Sequence, residues 1–292
     1  MKSTLVTFPD GLVVGRSSIV GAVPVGARHG LVVAETPFHP LDHTWPDQPA
    51  DRGTIGGLPV VDCVTGAVAG AVAGAEEGAQ PDSGEVFLGE DIPARRGAEG
   101  WEWLVVHVTE TPLPVGEEVD LVVDAGFRAA LSAGHTACHL AALALNAALA
   151  DRWRKEPALD RLGHPDFDQA AIASSRIVPD GSVDVYRLGK SLRKKGFTAE
   201  GLELAKVVRQ VNDLLDAWVA ADAPVRLDVP GPGLTARRTW HCSLPDGEAS
   251  IPCGGTHVSR TGELGRVEIA LSLSPDETSL TMRTSRESVS MC

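Results

Sequence analysis

Residues 135–150 read His-Thr-Ala-Cys-His-Leu-Ala-Ala-Leu-Ala-Leu-Asn-Ala-Ala-Leu-Ala, and this run decides the architecture. Alanine and leucine are strong helix formers, and nothing in the run breaks a helix. The spacing predicts a long helix over Phe127 to Arg154, closing in the charged run Asp151–Glu156 before Pro157. Its apolar faces must be covered by another layer of structure. His135 and His139 lie one turn apart and face the same way, whereas Cys138 points roughly 100° away from His139.

Upstream the texture is different. From Met1 to about Asp120, short β-like runs stand between Gly, Pro and Asp breakers: Gly11–Val14, Gly30–Ala34, Pro59–Val64, Val68–Val72 and Leu104–Val108. Val61 to Ala73 resembles successive hairpin strands, and Gly74–Gly84, rich in Gly, Ala and acids, reads as an exposed loop. This favours a small β-barrel-like module. Downstream, a second helix is expected over Ala199 to Ala221. Strands are expected at Asp184–Leu188, Ala236–Cys242, Arg266–Leu273 and Ser279–Arg283. The fold class is α+β: a β-barrel-like domain over 1–123, then an antiparallel sheet with helices over 124–292.

The 292 residues are 43% hydrophobic, a globular composition. A formal charge of -13 argues against indiscriminate attachment to nucleic-acid phosphates and leaves room for a local basic patch. One such cluster is Lys190, Arg193, Lys194 and Lys195; Arg237 and Arg238 form a smaller one. No DNA partner is expected. The apolar stretches are too broken to span a membrane, and the N-terminus has no leader-like pattern. Cys63, Cys138, Cys242, Cys253 and Cys292 are an odd, scattered set, unsuited to a disulfide framework. A cytoplasmic location follows as the expectation.

A second short motif changes the meaning of the first. Cys253-Gly-Gly-Thr-His257 places a thiol and an imidazole close together, with Gly254 and Gly255 permitting a tight backbone between them. His135, His139, Cys253 and His257 together suit one zinc ion per chain. Four protein ligands fit a closed structural site, and a displaceable position would permit catalysis. A zinc peptidase is disfavoured, since the chain has no His-Glu-x-x-His arrangement.

These two motifs, His135-Thr-Ala-Cys-His-Leu140 and Pro252-Cys-Gly-Gly-Thr-His-Val258, followed by Thr261-Gly-Glu-Leu-Gly265, resemble the editing domain of alanyl- and threonyl-tRNA synthetases. That domain is shared with free-standing alanyl-tRNA editing proteins. Trp103–His107, Gly116-Glu-Glu-Val119, Asp124–Arg128, Phe38-His-Pro40 and Gln48-Pro-Ala-Asp-Arg-Gly53 extend the resemblance over nearly the whole chain. It implies trans-acting hydrolysis of mischarged aminoacyl-tRNA by a zinc-dependent deacylase, with serine on alanine tRNA the first choice. It also implies that the family's ligands fall on His135, His139, Cys253 and His257. A catalytically silent tRNA-binding or metal-stabilised module stands as the alternative from another class.

The chain departs from this pattern between Phe38-His-Pro40 and Gln48. Relatives have a short glycine-rich stretch there; this chain has Leu41-Asp-His-Thr-Trp-Pro-Asp47, longer and bulkier. A reshaped pocket opens a specialised alternative, a threonyl- or fluorothreonyl-tRNA deacylase. A satisfied hydroxyl discriminates between acyl groups far better than one methylene, worth only ~1–3 kcal/mol. Gln48, Thr136, Thr44 and Trp45 are the candidate substrate contacts, with Gln48 and Thr136 beside a metal-centred water. Lys190, Arg193, Lys194, Lys195, Arg237 and Arg238 are the candidate tRNA contacts.

Overall fold

The computed structural model describes residues 1–70 and 84–287. Most of the loop expected at Gly74–Gly84, the end of the run Val68–Val72, and Cys292 lie outside the described residues. The chain forms two compact units. The first comprises Met1–Arg128, Val229–Arg238 and Gly254–Thr256; the second comprises Ala129–Asp228, Thr239–Cys253 and His257–Cys292.

The first unit is built on strands. They are β1 (Leu5–Val6), β2 (Val14–Val25), β3 (Arg28–Val33), β4 (Glu35–Thr36), β5 (Gly53–Ile55), β6 (Leu58–Val60), β7 (Asp62–Ala69), β8 (Val86–Leu88), β9 (Trp101–Thr109) and β10 (Glu118–Val123). Eight of them make one antiparallel sheet, a half-barrel in the order β6-β5-β10-β2-β3-β9-β7-β8. β1 and β4 pair in parallel outside it. Strand β10 shows why the sheet folds inward on one face: Val119, Leu121 and Val123 are buried and the residues between them exposed. They join Phe8, Ile19, Leu31, Phe38, Ile55 and Val105 in the core. The β5–β6 hairpin turns on Gly56 and Gly57, both at positive φ (55° and 79°), the backbone that a two-residue type I′ turn demands.

Several elements differ from their sequence-based expectation: Pro59–Val64 is divided between β6 and β7, the strand expected at Ala236–Cys242 is Thr239–Leu244, and the helix expected from Ala199 starts at Leu204. Gly11 caps a short 3-10 turn, so the strand expected at Gly11–Val14 begins only at Val14 and then runs twelve residues. The described part of the run from Val61 gives one continuous strand, β7, paired with β9 along its length and with β8 at its end, and residues 71–73 of the expected hairpin lie outside the described residues.

The second unit holds α1 (Ala125–Ala148, its first turn in the first unit), α2 (Phe167–Ala171), β11 (Ile172–Val178), β12 (Gly181–Arg187), α3 (Lys190–Lys194), α4 (Leu204–Ala220), β13 (Val225–Asp228), β14 (Thr239–Leu244), β15 (Gly247–Pro252), β16 (Val267–Leu273) and β17 (Ser279–Arg286). Two antiparallel sheets form, β11-β12-β17-β16 and β13-β14-β15. Helix α1 ends before the charged run, and a 3-10 turn at Ala150–Arg152 follows it. Residues 131–138 of α1 are buried on every side, which explains its small side chains: there is no room for a polar face. Helix α4 is amphipathic. Val207, Val211, Leu215 and Trp218, at helical spacing, are its buried stripe, and it packs on β16. The architecture is α+β, as the sequence implied.

Candidate metal centre

Helix α1 supplies His135 and His139, and the turn after β15 supplies Cys253 and His257. Their ligand atoms all lie within 4.8 Å of one another. Cys253 Sγ is 3.4 Å from His135 Nε2 and 3.2 Å from His257 Nε2. Tetrahedral coordination with Zn–N near 2.0–2.1 Å and Zn–S near 2.3 Å separates neighbouring ligand atoms by about 3.3–3.6 Å. The two measured separations are of that size. His139 adds an independent observation. Its Nε2 is buried and lacks a hydrogen-bond partner among the described residues. Buried nitrogens are rarely left so, and a metal ion would satisfy this one. The donor set therefore fits zinc.

Burial holds the His139 imidazole down to about 4, so it is neutral at pH 7 and keeps the lone pair a metal needs. Trp240 packs beside it, ring centroids 5.1 Å apart, and lies 6.0 Å from His257. Three imidazoles gather here, with centroid separations of 4.7, 4.4 and 5.1 Å.

Thr136, fully buried, sets the tautomer of His257. Its hydroxyl donates its single proton to Ser132 O at 3.0 Å, one turn back on α1. It accepts from the Val258 amide at 3.2 Å. The remaining lone pair faces His257 Nδ1 at 3.2 Å, which assigns the proton to Nδ1. Nε2 is then left with its lone pair directed at Cys253. The orienting of a ligand imidazole through its other nitrogen is a recurrent property of metal sites.

The other expected site residues fall in varied places. Gln48 is buried and clasps Thr256 at both ends of its amide: Nε2 donates to Thr256 Oγ1 and Oε1 accepts from the Thr256 amide, both at 3.0 Å. Thr44 gives its hydroxyl to Asp42 at 2.6 Å. Asp42 also caps the amides of Thr44 and Trp45 and pairs with Arg96, which reaches Leu234 O at 2.8 Å. The 41–47 segment is thus braced from within, and Trp45 stands half exposed on it (48%). His43 stacks on Trp103.

Lys190, Arg193, Lys194 and Lys195 are all exposed. The fold adds two neighbours that spacing could not reveal. Arg154 N donates to Gly196 O at 2.9 Å, Thr198 N donates to Arg152 O at 2.9 Å, and Lys155 Nζ donates to Lys194 O at 2.9 Å. Exposed Arg154 and Lys155 therefore join the cluster. Arg237 is exposed, whereas Arg238 is buried (3%) over the Phe8 ring, with Nη2 donating to Gly233 O.

Sequence reasoning missed a buried polar group behind α1. Asp184 on β12 accepts from Ser175 Oγ (2.5 Å), Ser182 Oγ (2.7 Å) and the Cys138 thiol (3.5 Å). Burial raises the carboxyl of Asp184 and holds the Cys138 thiol well above its ordinary value. The only sequence signal was phase: Asp184 alternates with Ser182 and Tyr186 on the buried face of its strand.

No family model matches the chain. It is similar to alanyl-tRNA editing protein AlaX-M of Pyrococcus horikoshii, at 27% identity over 241 residues, 82% of this chain and 79% of that protein. It is also similar to the alanine–tRNA ligases of Chloroflexus aurantiacus (30% identical over 193 residues, 57% of this chain) and Halorubrum lacusprofundi (29% over 259 residues, 82% of this chain). The chain spans about a fifth of the length of these ligases, 18% and 21%. It is a distant relative of both kinds of protein. Among the described residues, no helix is long and apolar enough to cross a membrane.

Proposed function

We propose that this chain is a zinc-dependent aminoacyl-tRNA deacylase, hydrolysing in trans the ester between a wrong amino acid and the tRNA 3′ end. One observation carries the reading: a four-ligand cluster occurs in a chain related, over 82% of its length, to an alanyl-tRNA editing protein. His135, His139, Cys253 and His257 would hold the ion. When bound, zinc supplies a positive centre that can polarise an acyl carbonyl or orient the substrate amine. The chain's own residues do the rest. Thr136 holds the His257 tautomer, burial keeps His139 neutral, and Trp240 walls one side of the imidazoles against water. The reducing cytoplasm, where a thiolate ligand persists, is the matching compartment.

Serine carried by alanine tRNA is the first-choice substrate. The 41–47 segment favours a second reading, a threonyl- or fluorothreonyl-tRNA deacylase. Asp42 braces a bulky loop, and Trp45 is presented on it as the contact to the aminoacyl end. We assign tRNA phosphate contact to Lys190, Arg193, Lys194 and Lys195, extended by Arg154 and Lys155. Within 187–198 there are five cations and no acid, a local excess in a chain of charge -13.

The deciding experiment measures initial deacylation rates on intact Ser-, Thr-, fluorothreonyl- and Ala-charged tRNAs at matched protein and zinc concentrations. Rapid serine release with alanine spared supports alanyl-tRNA quality control. Selective release of threonine or its fluorinated relative supports the specialised reading. Release of none, with tRNA still bound, refutes the enzyme and leaves a binding module.

A further inference from the structure

Helix α1 meets the β11–β12 hairpin along a single stripe. At its start, Ala130 O accepts the Asp180 amide at 2.9 Å. Four residues on, Gly134 lies so close that a Cβ there would come within 2.5 Å of Val178 O and 2.7 Å of both Gly181 N and Gly181 O. Four residues further, the Cys138 thiol donates to the Asp184 carboxylate at 3.5 and 3.6 Å. Residues 130, 134 and 138 share one face of a helix. His135 and His139 each follow a hairpin contact by one residue, so they stand about 100° further round.

Rotation of α1 about its axis is therefore set on one face and read out on the next. An imidazole nitrogen lies roughly 6–7 Å from the helix axis, so a turn of only 5° moves it about 0.6 Å. Metal–ligand distances tolerate about 0.2 Å. The backbone contact at Gly134 fixes how near the helix lies. The thiol–carboxylate contact, one turn along, fixes its angle. Asp184 is itself held by the Ser175 and Ser182 hydroxyls at 2.5 and 2.7 Å, so its oxygens are not free to follow the helix.

We propose that Asp184 is a positioning residue for the metal centre: through Cys138 it sets the rotation of α1, so that His135 and His139 converge on one point with Cys253 and His257. This rests on the reading of those four residues as a metal centre. Asp184 acts through the helix and needs no contact with the ion.

The test loads the full chain with cobalt(II) in place of zinc. The visible spectrum reports ligand geometry, chelator competition gives zinc affinity, and circular dichroism and thermal unfolding run in parallel. Asp184→Ala is expected to bind zinc at least tenfold more weakly and to shift and weaken the cobalt bands. Asp184→Asn, which keeps one acceptor oxygen and the side-chain shape, restores part of both. A merely structural role would lower the melting temperature and leave the cobalt spectrum alone. A folded Asp184→Ala protein with wild-type spectrum and affinity overturns the proposal. Should that variant not fold, Cys138→Ala, which removes only the thiol, carries the same expectation and the same refutation. A wild-type protein that takes up neither metal overturns the metal-centre reading, and this inference with it.

Discussion

Replacing Thr136 by valine removes one hydroxyl while keeping the shape of a buried side chain. The loss falls on two partners, because Ser132 O sits within the helix. The Val258 amide and His257 Nδ1–H, each 3.2 Å from Thr136 Oγ1, lose an acceptor. An unsatisfied buried donor costs about 1–3 kcal/mol, and these two are only partly buried, so the metal-free protein should lose roughly 1–3 kcal/mol of stability. A ligand imidazole without its outer partner costs roughly 10–100-fold in metal affinity. Chelator competition should show zinc binding weakened by that factor, and urea unfolding of the metal-free variant should show the stability loss separately. Nitrogen NMR of His257 should find the Nδ1–H tautomer in the wild type and a mixture in Thr136→Val. Thr136→Ser, which keeps the hydroxyl, should restore affinity. Zinc affinity within twofold of wild type in Thr136→Val would refute the tautomer argument.

Three further outcomes are expected. His135→Ala and Cys253→Ala should each abolish stoichiometric zinc by elemental analysis and lower deacylation at least a hundredfold; folded, zinc-depleted variants with normal turnover would remove the metal from the mechanism. Neutralising Lys194 and Lys195 should weaken tRNA binding and reduce the salt dependence of log affinity by about one to two units of slope, with Arg154 and Lys155 behaving alike; an unchanged slope would take these residues out of the footprint. Burial pushes the Asp168 carboxyl up to about 7 from an ordinary 3.8, against the Tyr186 hydroxyl that donates to it at 3.1 Å. A raised folded value means that its contribution is whole below pH 4 and is lost as pH rises through 7. Asp168→Asn should therefore match the wild type in urea unfolding near pH 4 and exceed it by about 4 kcal/mol at pH 8; a constant difference across that range would disprove the linkage.

Local signals carried most of what could be read beforehand. The helix of α1 was legible because alanine and leucine favour helix over its whole run, and its two histidines because i and i+4 share a face. Cys253 and His257 were legible because two glycines allow a tight turn between them. Strand β2 was harder. Gly15, Gly21 and Pro24 read as breakers, yet the strand absorbs a register shift between Ile19 and Gly21, and Pro24 lies beyond the stretch that pairs with β10. A proline there costs no hydrogen bond to that neighbour. Gly66, a breaker by composition, lies inside continuous β7, where a Cβ would press on Val106. The long-range pairings left no periodic trace. Nothing in the sequence joins Arg154 to Gly196, or Cys138 to Asp184, since each depends on segments tens of residues apart.

The first unit takes residues 229–238 and 254–256 from late in the chain. Leu234 lies in its core with Phe8, the Val6 amide bonds Pro232 O at 2.9 Å, and Thr256 is clasped by Gln48. During vectorial synthesis, then, the half-barrel waits. Its strands are made by residue 123, but its last pieces leave the ribosome more than a hundred residues later. At 5–20 residues per second that is a delay on the order of ten seconds. Through that interval the nascent sheet carries a core still missing Leu234 and has not yet received Thr256, so the half-barrel can close only after most of the second unit has been made.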